Sequence, residues 1–144
     1  MTQPSASVSH RSTAAPASNS QYKIASAAAT LWNRSFSRKL RAKIRETSAD
    51  VVHFHNTFPL VSPASYYAAR SAGAAVVQTL HNFRLLCPSV LLYHDGKIFE
   101  PSVGRLIPWQ AMRRKVYRDN LAATTVVAAM LVAHRLLGTY RREV

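Results

Sequence analysis

The sequence predicts an α/β fold: a partial parallel sheet with flanking helices, a small β-hairpin and a disordered N-terminal tail. Three observations carry this. Residues 50–82 read as strand, short helix, strand. Asp95-Gly96 lies between two short apolar runs and has the chemistry of a tight turn. A long apolar stretch, 121–137, is bracketed by Asp119 or Asn120 as cap and by Gly138 as stop.

The unit at 50–82 is the informative one. Thr47-Ser48-Ala49-Asp50 breaks the preceding helix, and Val51–Phe54, β-branched and aromatic, is expected as a buried strand. Pro59 cannot donate to a ladder, so 57–60 is a loop. Ser62 is expected to cap a helix with Pro63 at its first position, running Pro63–Ala72 and stopping at Gly73. Ala75–Leu80 is the next strand. A crossover of this kind makes the two strands parallel, with right-handed connection. Their carboxyl ends then lie on one edge, where open α/β sheets bind ligands. Each strand ends in the same pair, His55-Asn56 and His81-Asn82. Imidazole and carboxamide each offer a donor and an acceptor, suited to sugar hydroxyls and phosphate oxygens. A histidine can add positive charge near neutral pH. The two pairs are therefore expected to face one crevice.

The flanks are read as follows. Residues 1–22, rich in Ser, Ala, Thr and Pro and without an apolar run, form the disordered tail, and 23–144 the folded part. Residues 23–46 are expected as one amphipathic helix, with Trp32, Phe36, Leu40 and Ile44 as the core stripe. Arg34, Arg38, Arg41 and Arg45 form a second stripe, read as a solvated face, with contact to anionic lipid or nucleic acid as the alternative. Phe83–Val90 is a loop pinned by Pro88. Leu91–Tyr93 and Lys97–Phe99 form the hairpin, and Pro108 opens a helix to about Arg118. Leu121–Ala133 is almost wholly apolar but falls short of the roughly 20 residues of a membrane span, so 121–137 is a buried core helix.

Charge and special residues narrow the function classes. The chain carries 19 Lys+Arg against 6 Asp+Glu, a net of +13, and should attract phosphates, anionic headgroups or nucleic acid. Aromatic stacking motifs for single strands are not evident, and nucleic acid is not the expected partner. Cys87 is the single cysteine, which excludes an intrachain disulfide and a thiolate zinc cluster. No activating base accompanies it, so it is read as a small buried residue. His53 is assigned to the opposite face from His55, as a packed or hydrogen-bonded core histidine. A metal on His55 and His81 would need a third ligand, supplied by His94 or Asp95 only if their loop folds back, and no metal site is expected. The isolated glycines form no phosphate-binding loop, and no carboxylate pair is visible. The chain lacks recognisable machinery for activating a substrate alone.

The runs Asp50-Val-Val-His-Phe-His-Asn-Thr-Phe-Pro-Leu with Ser62-Pro63, and Val77-Gln-Thr-Leu-His-Asn-Phe-Arg-Leu-Leu-Cys-Pro88, resemble the N-terminal domain of family 4 glycosyltransferases. The Asp95-Gly96 hairpin and the helix through Ala129-Met130 to His134-Arg135-Leu136 extend the likeness over roughly residues 25–144. The resemblance implies the GT-B arrangement, in which two Rossmann-like domains face each other across a cleft. The N-terminal domain receives a glycan or lipid-linked acceptor and the other holds a nucleotide-sugar, without metal or cofactor. It implies that His81 is the catalytic-site histidine near the transferred sugar. His55, Asn56, Asn82 and Arg84 are its implied substrate-binding residues. Relatives of this kind build cell-envelope polysaccharides in the cytoplasm, some on the inner face of the membrane.

Three departures qualify this. The first strand and its Gly-rich loop are replaced by the tail. The chain ends at Val144, before any donor-binding domain. The Cys-x-x-Cys pair that follows the hairpin in many relatives falls on Phe99 and Ser102. The expectation is therefore an incomplete acceptor-side domain that transfers no sugar alone and that a partner chain carrying the missing half would complete. The competing expectation is a basic binding module for anionic membrane or nucleic acid.

Overall fold

The computed structural model describes the backbone of residues 19–144 and the side chains of 24–144. The expected tail lies outside the described residues as far as residue 18, and from Asn19 the chain is already helical. The order is α1 (Asn19–Leu31), α2 (Arg34–Thr47), β1 (Val51–Phe54), α3 (Ala64–Ser71) and β2 (Ala75–Gln78). There follow β3 (Tyr93–His94), β4 (Lys97–Ile98), α4 (Trp109–Arg113), α5 (Leu121–Leu136) and α6 (Thr139–Arg142). The fold class is the expected α/β one. β1 and β2 pair in parallel, from Val51 opposite Ala75 to Phe54 opposite Gln78, and β3 and β4 form the hairpin.

The strands are less buried than their apolar character suggests. Ile44, Phe54, Tyr66, Ala69 and Ala74 form a core on one side of the parallel pair, with Val52 and Val76 packed against it. On the other side Val51 is 55% and Val77 46% exposed. Parallel sheets usually carry helices on both faces; here α2 and α3 supply one cover. β2 also ends at Gln78 rather than Leu80, although Thr79 N still donates to Phe54 O at 2.9 Å.

The single helix expected over 23–46 is two. Asn33 interrupts it: its carbonyl oxygen accepts from Phe36 N at 2.9 Å, capping α2, while its amide group donates to Leu60 O. Asn33 N donates to Ser62 Oγ at 2.8 Å. Ser62 is thereby diverted from the capping role expected of it. It sits buried at φ 62° and ties the loop after β1 to the α1–α2 junction, and α3 starts one residue late, at Ala64. In α2, Ile44 is buried as expected and the four arginines are exposed.

Three helices end by one device. Ser48, Gly73 and Lys115 take positive φ, and the next residue's N–H reaches back to the carbonyls of Ile44, Ala69 and Ala111. This is the Schellman pattern. It explains why the helix expected to reach Arg118 stops at Arg113. The hairpin turns as expected at Asp95 (φ 49°) and Gly96 (φ 73°), the two positive angles of a type I′ turn. α5 is capped by Asn120, which accepts from Ala123 N at 2.9 Å, and buries Val127, Met130 and Leu131. Gly138, at φ 67°, turns the chain into α6, a helix that the sequence reading did not foresee. No helix among the described residues is long and apolar enough to cross a membrane.

Candidate functional site

The parallel pairing of β1 and β2 brings the two His-Asn pairs to one edge. His55 Nδ1 and His81 Nε2 are 3.1 Å apart, with rings stacked at 5.3 Å between centroids. One strand step earlier, His53 Nε2 meets Thr79 Oγ1 at 2.7 Å. Both contacts join residues 26 apart in sequence, so they are successive rungs of one ladder.

The assignment of His53 to the opposite face is corrected here. Its ring lies 4.3 Å from that of His55, centroid to centroid. Residues i and i+2 of a strand share a face, and the uncovered face of β1 leaves His53 exposed rather than in a core. The hydrogen bond expected of it is present.

The hydrogen bond between His55 and His81 constrains both rings. In the neutral pair one nitrogen donates and the other accepts, so the tautomers are complementary. The remaining nitrogens, His55 Nε2 and His81 Nδ1, therefore present one donor and one acceptor, whichever way the shared proton lies.

The asparagines build the turns that hold this pair. Asn56 Oδ1 accepts from Phe58 N at 2.9 Å, and Asn82 Oδ1 accepts from Arg84 N at 3.0 Å. Both are Asx turns. Their carbonyl ends are committed to their own loops, and the NH2 ends are what they can offer a ligand.

Arg84, an implied substrate-binding residue, is held between aromatic rings. Its guanidinium is clamped 4.0 Å from the Phe58 ring centroid and 5.0 Å from that of Tyr117. Such stacking suits the planar, weakly hydrated guanidinium. Burial lowers its pKa from the usual value, the Tyr117 phenol opposes that shift and Arg118 adds to it. Arg84 Nη1 is buried without a hydrogen-bond partner. It lines a recess of about 30 Å³ below the His-Asn edge, shared with Phe58, His81, Asn82 and Tyr140.

Beside that recess opens a larger cleft of about 640 Å³. Leu80, Phe83 and Leu86 form its apolar wall, His81 and Asn82 its polar rim, and the α5–α6 corner its far side. Arg135 was missed in the sequence reading, beyond its place in the resemblance. It donates to Leu85 O (2.7 Å), Leu86 O (2.8 Å) and Arg105 O (2.6 Å), pinning the loop after His81 to α5. A cation in the last turn of a helix is a general signal, but nothing in sequence reveals that its partners lie 30 to 50 residues away.

Cys87 is buried, and burial raises its thiol pKa against the opposing pull of the Ser89 backbone and Arg135. It packs with Phe99 and Ala111, the bland role expected. His94 contacts Asp95 at 3.2 Å. Among the described residues no three His, Cys, Asp or Glu side chains are gathered as for a metal ion.

Residues 9–140 match the family model described as Glycosyltransferase Family 4. The chain belongs to glycosyltransferase family 4. The match covers most of the sequence and includes both His-Asn loops, the hairpin and α5. It begins at residue 9, inside the stretch read as a tail. No curated protein and no solved structure matches the chain. Within this family 4 domain, the residues named from the resemblance fall into two groups. His55, Asn56, His81 and Asn82 stand together at the sheet edge, and Arg84 lies beneath them in the recess.

Proposed function

We propose that the His-Asn edge is the acceptor-side wall of a sugar-transfer site, in an enzyme moving a sugar from a nucleotide-sugar to a hydroxyl-bearing acceptor. The observation that carries this reading is the 3.1 Å bond between His55 and His81, which joins the two strand ends into one polar surface. His81, at the rim of the larger cleft, faces the transferred sugar and its phosphates. His55, Asn56 and Asn82 present donors and acceptors to acceptor hydroxyls. Nothing in this role requires a cofactor; the nucleotide-sugar is a substrate. The GT-B pairing with a donor-binding domain is the arrangement in which such a wall would face a donor.

The chemistry open to these residues is binding and charge placement. An imidazole whose second nitrogen is held by a neighbour is fixed in orientation, and fixed dipoles aimed at developing charge are the economical form of catalysis. The test is a titration of the ¹⁵N-imidazole resonances with uridine diphosphate-glucose and with an alkyl glucoside. His55 and His81 should shift together, because their tautomers are linked, and His81→Ala should abolish the response at His55. Imidazoles that ignore both ligands in a folded chain would refute the reading.

A further inference from the structure

We infer that Thr79 is the positioning residue of this wall: it holds the segment that places the His81 ring against His55. This rests on the acceptor-wall reading and adds to it the residue that sets the geometry of the histidine pair.

Regular pairing stops short of the site. β1 ends one residue before His55, and β2 ends three residues before His81. Among the described residues, the last backbone bond between the two strand ends runs from Thr79 N to Phe54 O, at 2.9 Å. Past it, packing holds little: Leu80 is 65% exposed, and both histidines are exposed. A hydrogen bond between two exposed imidazoles contributes too little to fix two chain ends alone.

Thr79 supplies the missing hold. Its N–H, its hydroxyl and its carbonyl are all engaged, each from a different direction. The N–H donates to the β1 backbone. The hydroxyl meets His53 Nε2 at 2.7 Å on the uncovered face of the sheet. The carbonyl accepts from Gln78 Nε2 at 2.6 Å. A carbonyl can only accept, so that contact orients the Gln78 amide, and Gln78 Oε1 accepts from Tyr66 Oη at 2.7 Å. The Tyr66 proton is thereby used, and the 3.4 Å contact between Tyr66 Oη and Thr57 Oγ1 is donated by Thr57. Tyr66 and Thr57 are buried, so this half of the brace sits on the core side. Thr57 directly follows the His55-Asn56 pair. Thr79 is thus tied to the first strand end on both faces, through His53 on one and through Gln78, Tyr66 and Thr57 on the other. The first tie also reaches the pair itself. The His53 ring lies 4.3 Å from that of His55, so a His53 held by Thr79 limits how far the His55 ring can swing. Thr79 acts through these neighbours and through the chain to His81.

The experiment reads nuclear Overhauser contacts between the His55 and His81 rings in the full chain without ligand, and then titrates uridine diphosphate-glucose. Thr79→Val keeps the branched shape and both backbone bonds and removes only the hydroxyl. The ring contacts should be lost, with the melting temperature unchanged. The affinity read at His81 should fall about three- to tenfold, the scale of one hydrogen bond. Thr79→Ser should restore both. His53→Phe keeps a ring beside His55 and breaks the same bond, so it should match Thr79→Val, and the double variant should be no worse than either single one. Ring contacts that survive Thr79→Val, a Ser variant that fails to restore them, or losses that add in the double variant overturn the inference. A melting temperature that falls along with the contacts overturns it too, since Thr79 is then a structural residue only. The contacts are read without ligand, so imidazoles that ignore uridine diphosphate-glucose in a braced pair remove the acceptor wall and leave the brace standing.

Discussion

His134 and His81 both border the larger cleft, and they are opposite kinds of histidine. His134 is 1% exposed. Its Nε2 lies 3.0 Å from Leu31 O and its Nδ1 2.9 Å from Thr139 Oγ1. A carbonyl can only accept, so Nε2 carries the proton and Nδ1 accepts from Thr139, whose hydroxyl in turn can accept from Tyr67 at 2.7 Å. Trp32 stacks on the same ring at 5.6 Å. This chain of contacts ties α1, α3, α5 and α6 together through one neutral imidazole. His81 is exposed and shares one nitrogen with another exposed histidine. A histidine with both nitrogens satisfied indoors is a crosslink; one with a nitrogen to spare at a strand end is available for chemistry.

The contrast can be broken at its strong end first. His134→Ala strands the Leu31 carbonyl and the Thr139 hydroxyl and leaves a cavity beside Trp32, so unfolding in urea should show a loss of about 3 kcal/mol. His81→Ala, at the surface, should stay within about 0.5 kcal/mol. Equal losses in the two variants would dissolve the distinction.

Arg135→Met comes next. It frees three carbonyls at once but removes a partly exposed side chain, so a loss of about 2 kcal/mol is expected. Amide exchange over residues 83–87 should quicken more than over 55–58, because the loop after His55 is anchored separately through Ser62 and Asn33.

A smaller effect is the pH dependence. Burial pushes the His134 imidazole below its ordinary value, with the bond to Leu31 opposing the shift. The folded chain then binds fewer protons than the unfolded chain around the ordinary histidine value, and stability rises with pH there. The contribution is complete above about pH 6.5 and is lost as pH falls through the lowered folded value. Melting curves at descending pH should show that slope, and His134→Gln should lack it. The smallest effect is expected at α2. Replacing Arg34, Arg38, Arg41 or Arg45 singly by Gln should change stability by less than about 0.5 kcal/mol, as for a solvated face.

Much of the site was legible in the sequence because it depends on topology. Two strands joined by a short helix must be parallel, so residues just past each strand must meet, and His55 and His81 do. The capped ends of α5 and the Asp95-Gly96 turn were legible for a local reason: a side-chain acceptor at Asn120 and positive φ at Gly96 and Gly138 are properties of single residues. What escaped depends on distant partners. The break at Asn33 is made by Leu60 and Ser62, some 30 residues on, against a helical periodicity that runs straight through it. Non-glycine residues took positive φ at Ser48, Ser62 and Lys115, where no glycine marked the turn. The burial of the strands was overestimated because β-branched runs report a pleated surface and not how many layers cover it. Arg84 was named as a ligand residue, but its clamp between Phe58 and Tyr117 joins loops that are remote in sequence.

The two Asx turns have a consequence for how the edge is read from outside. Neighbouring parallel strands are related by a translation of about 4.8 Å. A His-Asn turn repeated on both strands is therefore one motif printed twice at that interval, like two teeth on a ruler. The imidazoles of the two teeth differ, one offering a donor and the other an acceptor, but their Asn NH2 groups are alike, so an oxygen accepting from one of those amides would have two registers to choose from. What breaks the tie is the neighbour that only the second tooth has: the loop after His81 borders the wide cleft, and the loop after His55 does not.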